Sequence, residues 1–243
     1  MARIFITGSS DGLGLLAAKH LVHEGNKVVL HARNEKRAKE AFAGVPGAEH
    51  VLTADLSIAT EVKRLAEEAN ALGTFDVVIH NAGVYQVAND IIFRVNTLAP
   101  YMLTCLMNRP DRLVYLSSGL HMQGSHFLNG FGQGRVSYSD SKLHMVLLAK
   151  VITRKWQGVY ANAVDPGWVP TKMGGLGAPG SLKKGYETQS WLAVSNEKEA
   201  MVSGRYFYHR KEKNHHPKAD DTELQERFLK LCEAASGVRF QEN

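Results

Sequence analysis

The sequence predicts an α/β fold, a three-layer Rossmann-type doubly wound sheet of about seven parallel strands with helices on both faces. Three observations predict it. Short β-branched and aliphatic runs alternate with amphipathic stretches of helical length along the chain. A glycine-rich turn, Thr7-Gly8-Ser9-Ser10-Asp11-Gly12-Leu13-Gly14, joins the first such run to the first amphipathic stretch. The 243 residues, 44% hydrophobic and 22% charged, suit one large unit over 1–243, with no internal repeat and no compositional break that would mark a linker.

Residues 3–7 read as a buried strand, and the helix after them carries Leu13, Leu16, Ala17, His20 and Leu21 at helical spacing. Gly25-Asn26 stops that helix, and 27–31 is the second strand. Asn34 caps a helix through Ala43, Val45-Pro46-Gly47 turns the chain, and 50–54 is the third strand. A helix over 57–72 and a strand over 75–80 follow, the strand ending at Asn81-Ala82-Gly83. A helix over 91–107 contains Pro100 as a kink, and 112–117 is the fifth strand. A long helix over 138–156, strands over 159–164 and 204–208, and an amphipathic helix over 222–235 complete the pattern. Residues 173–185 read as a glycine-rich loop and 209–221 as a charged loop.

No apolar run approaches the roughly 18 residues of a membrane span. Met1-Ala2-Arg3 enters the first strand without the apolar core of a signal peptide. The two cysteines, Cys105 and Cys232, sit in helix-like segments and read as reduced thiols, so a cytoplasmic protein is expected. The net charge of +5 suits an anionic ligand such as a phosphorylated cofactor. No basic run or aromatic–basic stripe points to nucleic acid. His209, His215 and His216 match no standard zinc spacing, and no metal site is expected.

Strand, glycine turn and helix in succession form a dinucleotide-binding context. Gly8 permits the tight turn, Gly12 lets the backbone approach a pyrophosphate, and Gly14 lets helix and strand pack closely. The helix N-terminus faces the negative charge. An NAD site usually places a carboxylate at the end of the second strand, whereas a 2′-phosphate needs a cation. Here the strand ends Leu30-His31-Ala32-Arg33-Asn34, so Arg33 points to NADP(H), with NAD(H) second. Asp11, inside the glycine turn, opposes a phosphate.

Tyr138 and Lys142, four apart on a predicted helix, lie on one face about 6 Å apart. An ammonium beside a phenol favours the phenolate and lowers its pKa from about 10. Such a tyrosine is an acid for a nascent alkoxide or a base for an alcohol. Ser118 stands where it would hydrogen-bond a substrate oxygen, with Ser117 as the alternative if the register slips. Asn96 is a polar residue where leucine would be expected, placed to hold a water linking Lys142 to solvent.

In this order the motifs resemble the short-chain dehydrogenase/reductase superfamily in its single-domain branch, over nearly the whole chain. The resemblance rests on the Thr7 to Gly14 turn, Asp55-Leu56, Asn81-Ala82-Gly83, Asn96, Ser118, Tyr138 with Lys142, and Pro166-Gly167-Trp168-Val169-Pro170-Thr171. It implies Tyr138 as acid/base and Lys142 also as a ligand of the nicotinamide ribose. Ser118 would orient the carbonyl and Asn96 would hold a relay water. The cofactor would touch Gly8, Ser10, Gly12, Leu13, Gly14 and Arg33. Asp55 and Leu56 would border the adenine and Asn81, Ala82 and Gly83 would line the cofactor. Pro166, Gly167, Val169 and Thr171 would lie at its nicotinamide end. Tyr138 to Leu143 and Ser117 to His121 are similar to retinol-dehydrogenase-like and related NADP-dependent carbonyl reductases.

The chain departs from that pattern in three places. Gly83 and Asn96 are thirteen positions apart, shorter than in most relatives, and the helix after Asn96 is short too. That helix normally builds a dimer interface, which leaves a homo-oligomer open. His80 stands where many relatives carry asparagine. Ser118 and Tyr138 are twenty positions apart, with a glycine-rich insertion carrying His121, Met122, His126, Phe127 and Phe131. The expected activity is hydride transfer between NADP(H) and a small carbonyl or secondary alcohol. The rival reading is a dinucleotide-binding sensor or scaffold without turnover. An epimerase or dehydratase of the extended branch would need a C-terminal substrate domain for which this length leaves no room.

Overall fold

The computed structural model describes residues 1–131 and 133–242. One sheet runs through the molecule in the order β3-β2-β1-β4-β5-β6-β7-β8. Its strands are β1 (Arg3–Ile6), β2 (Lys27–Ala32), β3 (His50–Thr53), β4 (Val77–His80), β5 (Arg112–Leu116), β6 (Tyr160–Asp165), β7 (Tyr206–Tyr208) and β8 (Lys211–Lys213). The first seven pair in parallel, as expected. The eighth pairs antiparallel to β7, within the stretch read from the sequence as a charged loop. With lysine at both ends, this short strand presents charge at the sheet edge, where an apolar strand would recruit another chain.

Alternation along each strand sends successive side chains to opposite faces. Ile4 and Ile6 join Val28, Leu30, Ile79 and Val164 in a core under α1 (Gly12–His23), α2 (Glu35–Gly44) and α7 (Leu182–Val194). Phe5, Val29 and Val78 face the other core, closed by α3 (Ala59–Ala71), α5 (Ala99–Leu106), α6 (Tyr138–Lys155) and α8 (Thr222–Ser236). The crossovers therefore place the C-terminal ends of β1, β4, β5 and β6 at one rim, the crevice where open α/β sheets bind ligands.

Three elements differ from the sequence pattern. The stretch around Pro100 is not one continuous α-helix over 91–107. Instead α4 (Asn89–Phe93) passes through a π-helical stretch, Arg94–Leu98, into α5. Pro100 brings no N–H to the helix, and the wider winding just before it lets Ala99 N–H reach back to Arg94 O. The helix expected over 57–72 begins at Ala59, because Ser57 N and Oγ are held by Asp55 Oδ1 at 2.9 and 2.7 Å in a local turn. Residues 182–185, read as glycine-rich loop, open α7, whose N-cap Ser181 accepts from Lys184 N at 3.4 Å. Gly185 and the paired lysines mask the apolar stripe of that helix.

Four imidazoles are buried, those of His31, His80, His121 and His144, and three of them titrate far below the usual range. Burial pulls His31 down to about 4 and His80 and His144 to about 3. His80 stacks on Tyr115, and His144 packs against Phe131 and Phe228. The folded protein binds fewer protons than the unfolded chain between about pH 3 and 6.5, so stability falls as pH drops through that window. Each histidine is expected to remove up to about 2 kcal/mol between neutral pH and pH 5. Urea midpoints at pH 7.5 and 5.0 measure it, and equal midpoints would refute it.

Candidate active site

The glycine turn is fixed from three sides. Gly8, at φ +63°, leaves so little room that an added Cβ would lie 2.8 Å from Ala82 Cα. Its N–H donates to His31 Nδ1 at 2.9 Å, and His31 Nε2 lies 3.0 Å from Ala54 O. With Nδ1 accepting, Nε2 carries the proton, and the buried ring is the neutral tautomer that both contacts need. Asn81 Nδ2 donates to Thr7 O and Gly8 O at 3.0 and 3.1 Å, and Ala82 N donates to Thr7 Oγ1 at 3.1 Å. The segment expected to line a cofactor is thus stitched to the turn expected to cradle its phosphates. His31, which the sequence reading passed over, is the post beneath them.

Asp11 proves to be neutralised. It caps α1 by accepting from Gly12 N, and Arg37 Nη2 and Lys172 Nζ both pair with its carboxylate. Hydrogen bonding to Lys172, with Arg37 adding to it, holds its carboxyl below the usual range. Arg37 Nε also donates to Ser10 Oγ at 3.3 Å. Arg33 is exposed at the same rim and acts electrostatically on Asp55. Three cations therefore border the end of β2. Arg37, one helical turn beyond Arg33, was legible from its spacing; Lys172 was not.

The loop after β6 closes over the turn. Thr171 packs on Gly12, Val169 is buried, and Leu13 meets Gly185 of α7. Gly167 N donates to Asp165 Oδ1 at 2.8 Å, bending the chain through Pro166. Leu56, expected at the adenine edge, is packed into the core, and Asp55 is engaged by Ser57.

Tyr138 begins α6. Ser137 and Asp140 form a capping box there, and Asp140 also accepts from Ser125 N at 2.7 Å, tying the insertion to the helix. Of that insertion, Gly132 lies outside the described residues. The Lys142 ammonium lies 5.2 Å from the centre of the Tyr138 ring and donates to Leu116 O at 3.0 Å. Tyr85 stands edge-on to Tyr138, with centroids 4.7 Å apart. The Ser118 side chain acts on the phenol, working against the rise that burial gives its pKa. Ser117, by contrast, is buried and donates to Lys142 O at 2.8 Å. Adjacent residues at a strand end point to opposite sides, and the register assigns the open side to Ser118.

The electrostatics reverse one expectation. Burial, with smaller contributions from Asp165 and Tyr85, pushes the Tyr138 phenol up to about 12, although Lys142 is close by. Burial pulls Lys142 down to about 8. Desolvation outweighs the attraction between the two charged forms, because each would lose water in forming. The Asn96 side chain is engaged at both of its polar atoms. Both amide hydrogens are committed, to Val84 O at 2.9 Å and Ser141 Oγ at 3.1 Å. Its oxygen takes Val84 N–H at 2.8 Å, so the side chain chiefly holds the short loop after β4. An added Cβ at Gly83 would still meet Lys142 Nζ at 3.4 Å and Asn96 Oδ1 at 3.5 Å, so both polar atoms are reachable from one point. Among the described residues no group of three or more His, Cys, Asp or Glu side chains is arranged to hold a metal ion. None of the described helices is long and apolar enough to cross a membrane.

Comparison with known proteins bears on this arrangement. The family model described as short chain dehydrogenase matches residues 2–177. An uncharacterized oxidoreductase of Emericella nidulans is 46% identical over 251 residues, covering 98% of each chain. Retinol dehydrogenase 14 of Homo sapiens is 28% identical, covering 97% of this chain and 86% of the human one. Among solved structures, a blue fluorescent protein from a metagenomic library in complex with NADPH superimposes with a TM-score of 0.71 at 21% identity, covering 85% of this chain and 95% of the other.

Proposed function

The chain belongs to the short-chain dehydrogenase family, and from that premise we propose that it is an NADP(H)-dependent reductase of a carbonyl substrate, with Tyr138 as general acid. The whole chain is read as one dinucleotide-binding unit with the substrate site built into its rim. The observation that carries the reading is the convergence of Tyr138, Lys142 and Ser118 beside the glycine turn, with the phenol held protonated at about 12. A tyrosine that keeps its proton at neutral pH can give it to the substrate oxygen as negative charge develops there.

The residues fit a phosphorylated dinucleotide. Gly8 and Gly14 leave no space for a Cβ, α1 opens without an acid in its first turn, and Arg33, Arg37 and Lys172 border the end of β2. Gly8, Ser10, Gly12, Leu13, Gly14, Asn81, Ala82 and Gly83 would hold its pyrophosphate and ribose side, with Asp55 and Leu56 beyond. Pro166, Gly167, Val169 and Thr171 would hold the nicotinamide end, and Lys142 its ribose. When bound, NADP(H) supplies the hydride. Ser118 donates to the substrate oxygen and orients it, and Tyr138 gives its phenolic proton to that oxygen as negative charge develops. The Lys142 ammonium stabilises the phenolate that remains, and Asn96 keeps the loop after β4 against α6. NADPH-bound and NADP-bound structural relatives are in keeping with this cofactor.

The reading is tested by loss of NADPH absorbance over a panel of aldehydes, ketones, retinoids and steroids, with NADH alongside. Turnover of none of them would count for the sensor reading. Arg33→Asp is expected to raise the KM for NADPH by about 10-fold or more, the worth of one charge-assisted contact, and to move preference toward NADH. An unchanged NADPH preference would remove Arg33 from the site and leave the phosphate to Arg37 and Lys172.

A further inference from the structure

Asp165 ends β6, paired in register with Tyr208 of β7. Oδ1 is used by Gly167 N–H at 2.8 Å. Oδ2 lies against Gly119, where an added Cβ would come within 3.2 Å of it. Gly119 directly follows Ser118, so the second carboxylate oxygen borders the wall that carries the carbonyl-orienting hydroxyl. Its charge reaches both Tyr138 and Lys142, raising the pKa of each. Behind it stands Tyr206, 3% exposed, whose hydroxyl is turned to the carboxylate without closing a hydrogen bond and has no other partner among the described residues.

The turn through Pro166 needs only an acceptor for Gly167 N–H, which asparagine or serine would supply without charge. Instead a half-buried carboxylate sits against Gly119, within electrostatic reach of Tyr138 and Lys142 and in no ion pair among the described residues. No described side chain closes a hydrogen bond to Oδ2, which leaves it able to accept from an incoming O–H or N–H. Tyr85 and Leu120, large apolar residues exposed by 42% and 38%, belong to the neighbouring loops and offer contact to the rest of a flat organic molecule.

We propose that Asp165 determines substrate specificity: its Oδ2 accepts a hydrogen bond from an O–H or N–H carried by the substrate close to the reacting carbonyl. Ketones bearing a hydroxyl or an amide N–H beside the carbonyl are then taken in preference to their unsubstituted counterparts. This inference rests on the reductase reading above.

The test compares kcat/KM for three phenyl ketones with NADPH. These are acetophenone, its α-hydroxy derivative and its α-acetamido derivative, which separate an O–H from an N–H donor. In Asp165→Asn the turn keeps its acceptor, but the outer oxygen becomes an NH2 that cannot accept. The ratio of the preferred donor-bearing ketone to acetophenone is expected to fall about 10-fold or more in that variant, the scale on which hydrogen-bonding sites discriminate. Asp165→Ser, which also keeps an acceptor for Gly167, should lose the ratio likewise. A proportional fall for all three ketones, leaving the ratio intact, means a structural role and overturns the proposal. So does an intact ratio with weakened binding of the oxidised cofactor, which would make Asp165 a counter-charge to the nicotinamide. Wild-type turnover of acetophenone but of neither substituted ketone overturns the proposal while sparing the reductase reading. Failure of the wild type on these ketones and on the wider carbonyl panel removes both.

Discussion

Tyr138→Phe is expected to lower kcat for carbonyl reduction by about 10²- to 10⁴-fold, the usual worth of a positioned acid, while the Kd for NADPH changes by no more than about two-fold. The substitution is clean because the ring does most of the packing. A phenylalanine keeps the edge-on contact with Tyr85 at 4.7 Å and the position of the Lys142 ammonium at 5.2 Å from the ring centre. It loses only the hydroxyl, which burial holds near a pKa of 12. Single-turnover mixing with NADPH separates chemistry from product release, and fluorescence titration of the cofactor checks binding. Retention of full single-turnover rate would end the role proposed for Tyr138, whatever the substrate.

Gly14→Ala should act on the other half of the site. The added Cβ would fall 2.4 Å from Asn81 Nδ2 and 2.5 Å from Gly8 O, two groups that bond to one another at 3.1 Å. Neither can yield alone: Asn81 also holds Thr7 O, and Gly8 is braced by His31. Forcing a methyl group into such a contact costs about 1–3 kcal/mol. The expected result is a Kd for NADPH raised about 10-fold or more, together with a lower melting temperature. Gly44→Ala is the control, because nothing lies within 4 Å of a Cβ there. Equal cofactor affinity in the Gly14 variant and wild type would show that the glycine turn does not cradle the phosphates.

Much of this is legible in the sequence. Seven strands, the glycine turn and the Tyr138–Lys142 pair are local patterns. Each is written in the period of a strand or a helix, or in the backbone freedom of one residue, and each stands where the sequence placed it. The weaker readings were those in which local signals conflict. Gly185 hid α7, and Pro100 read as a kink where a π-helical stretch absorbs the missing N–H. The charged stretch after β7 hid a short antiparallel strand, because lysines protecting an edge look like loop.

By itself, then, the sequence determined the fold class, the crevice and the pair of groups that face it, since these follow from short-range periodicity. Tertiary structure alone decided how those groups are supported and charged. It turned Ser118 rather than Ser117 to the open side and set His31 under Gly8. It brought Lys172 across 161 positions of chain to neutralise Asp11, and it placed Asp165 against Gly119, within electrostatic reach of Tyr138. It also reversed the direction in which the Tyr138 phenol is tuned. The reason is common to all of these. Contact, burial and desolvation depend on residues distant in sequence that the sheet register brings together, and no spacing along the chain records that register.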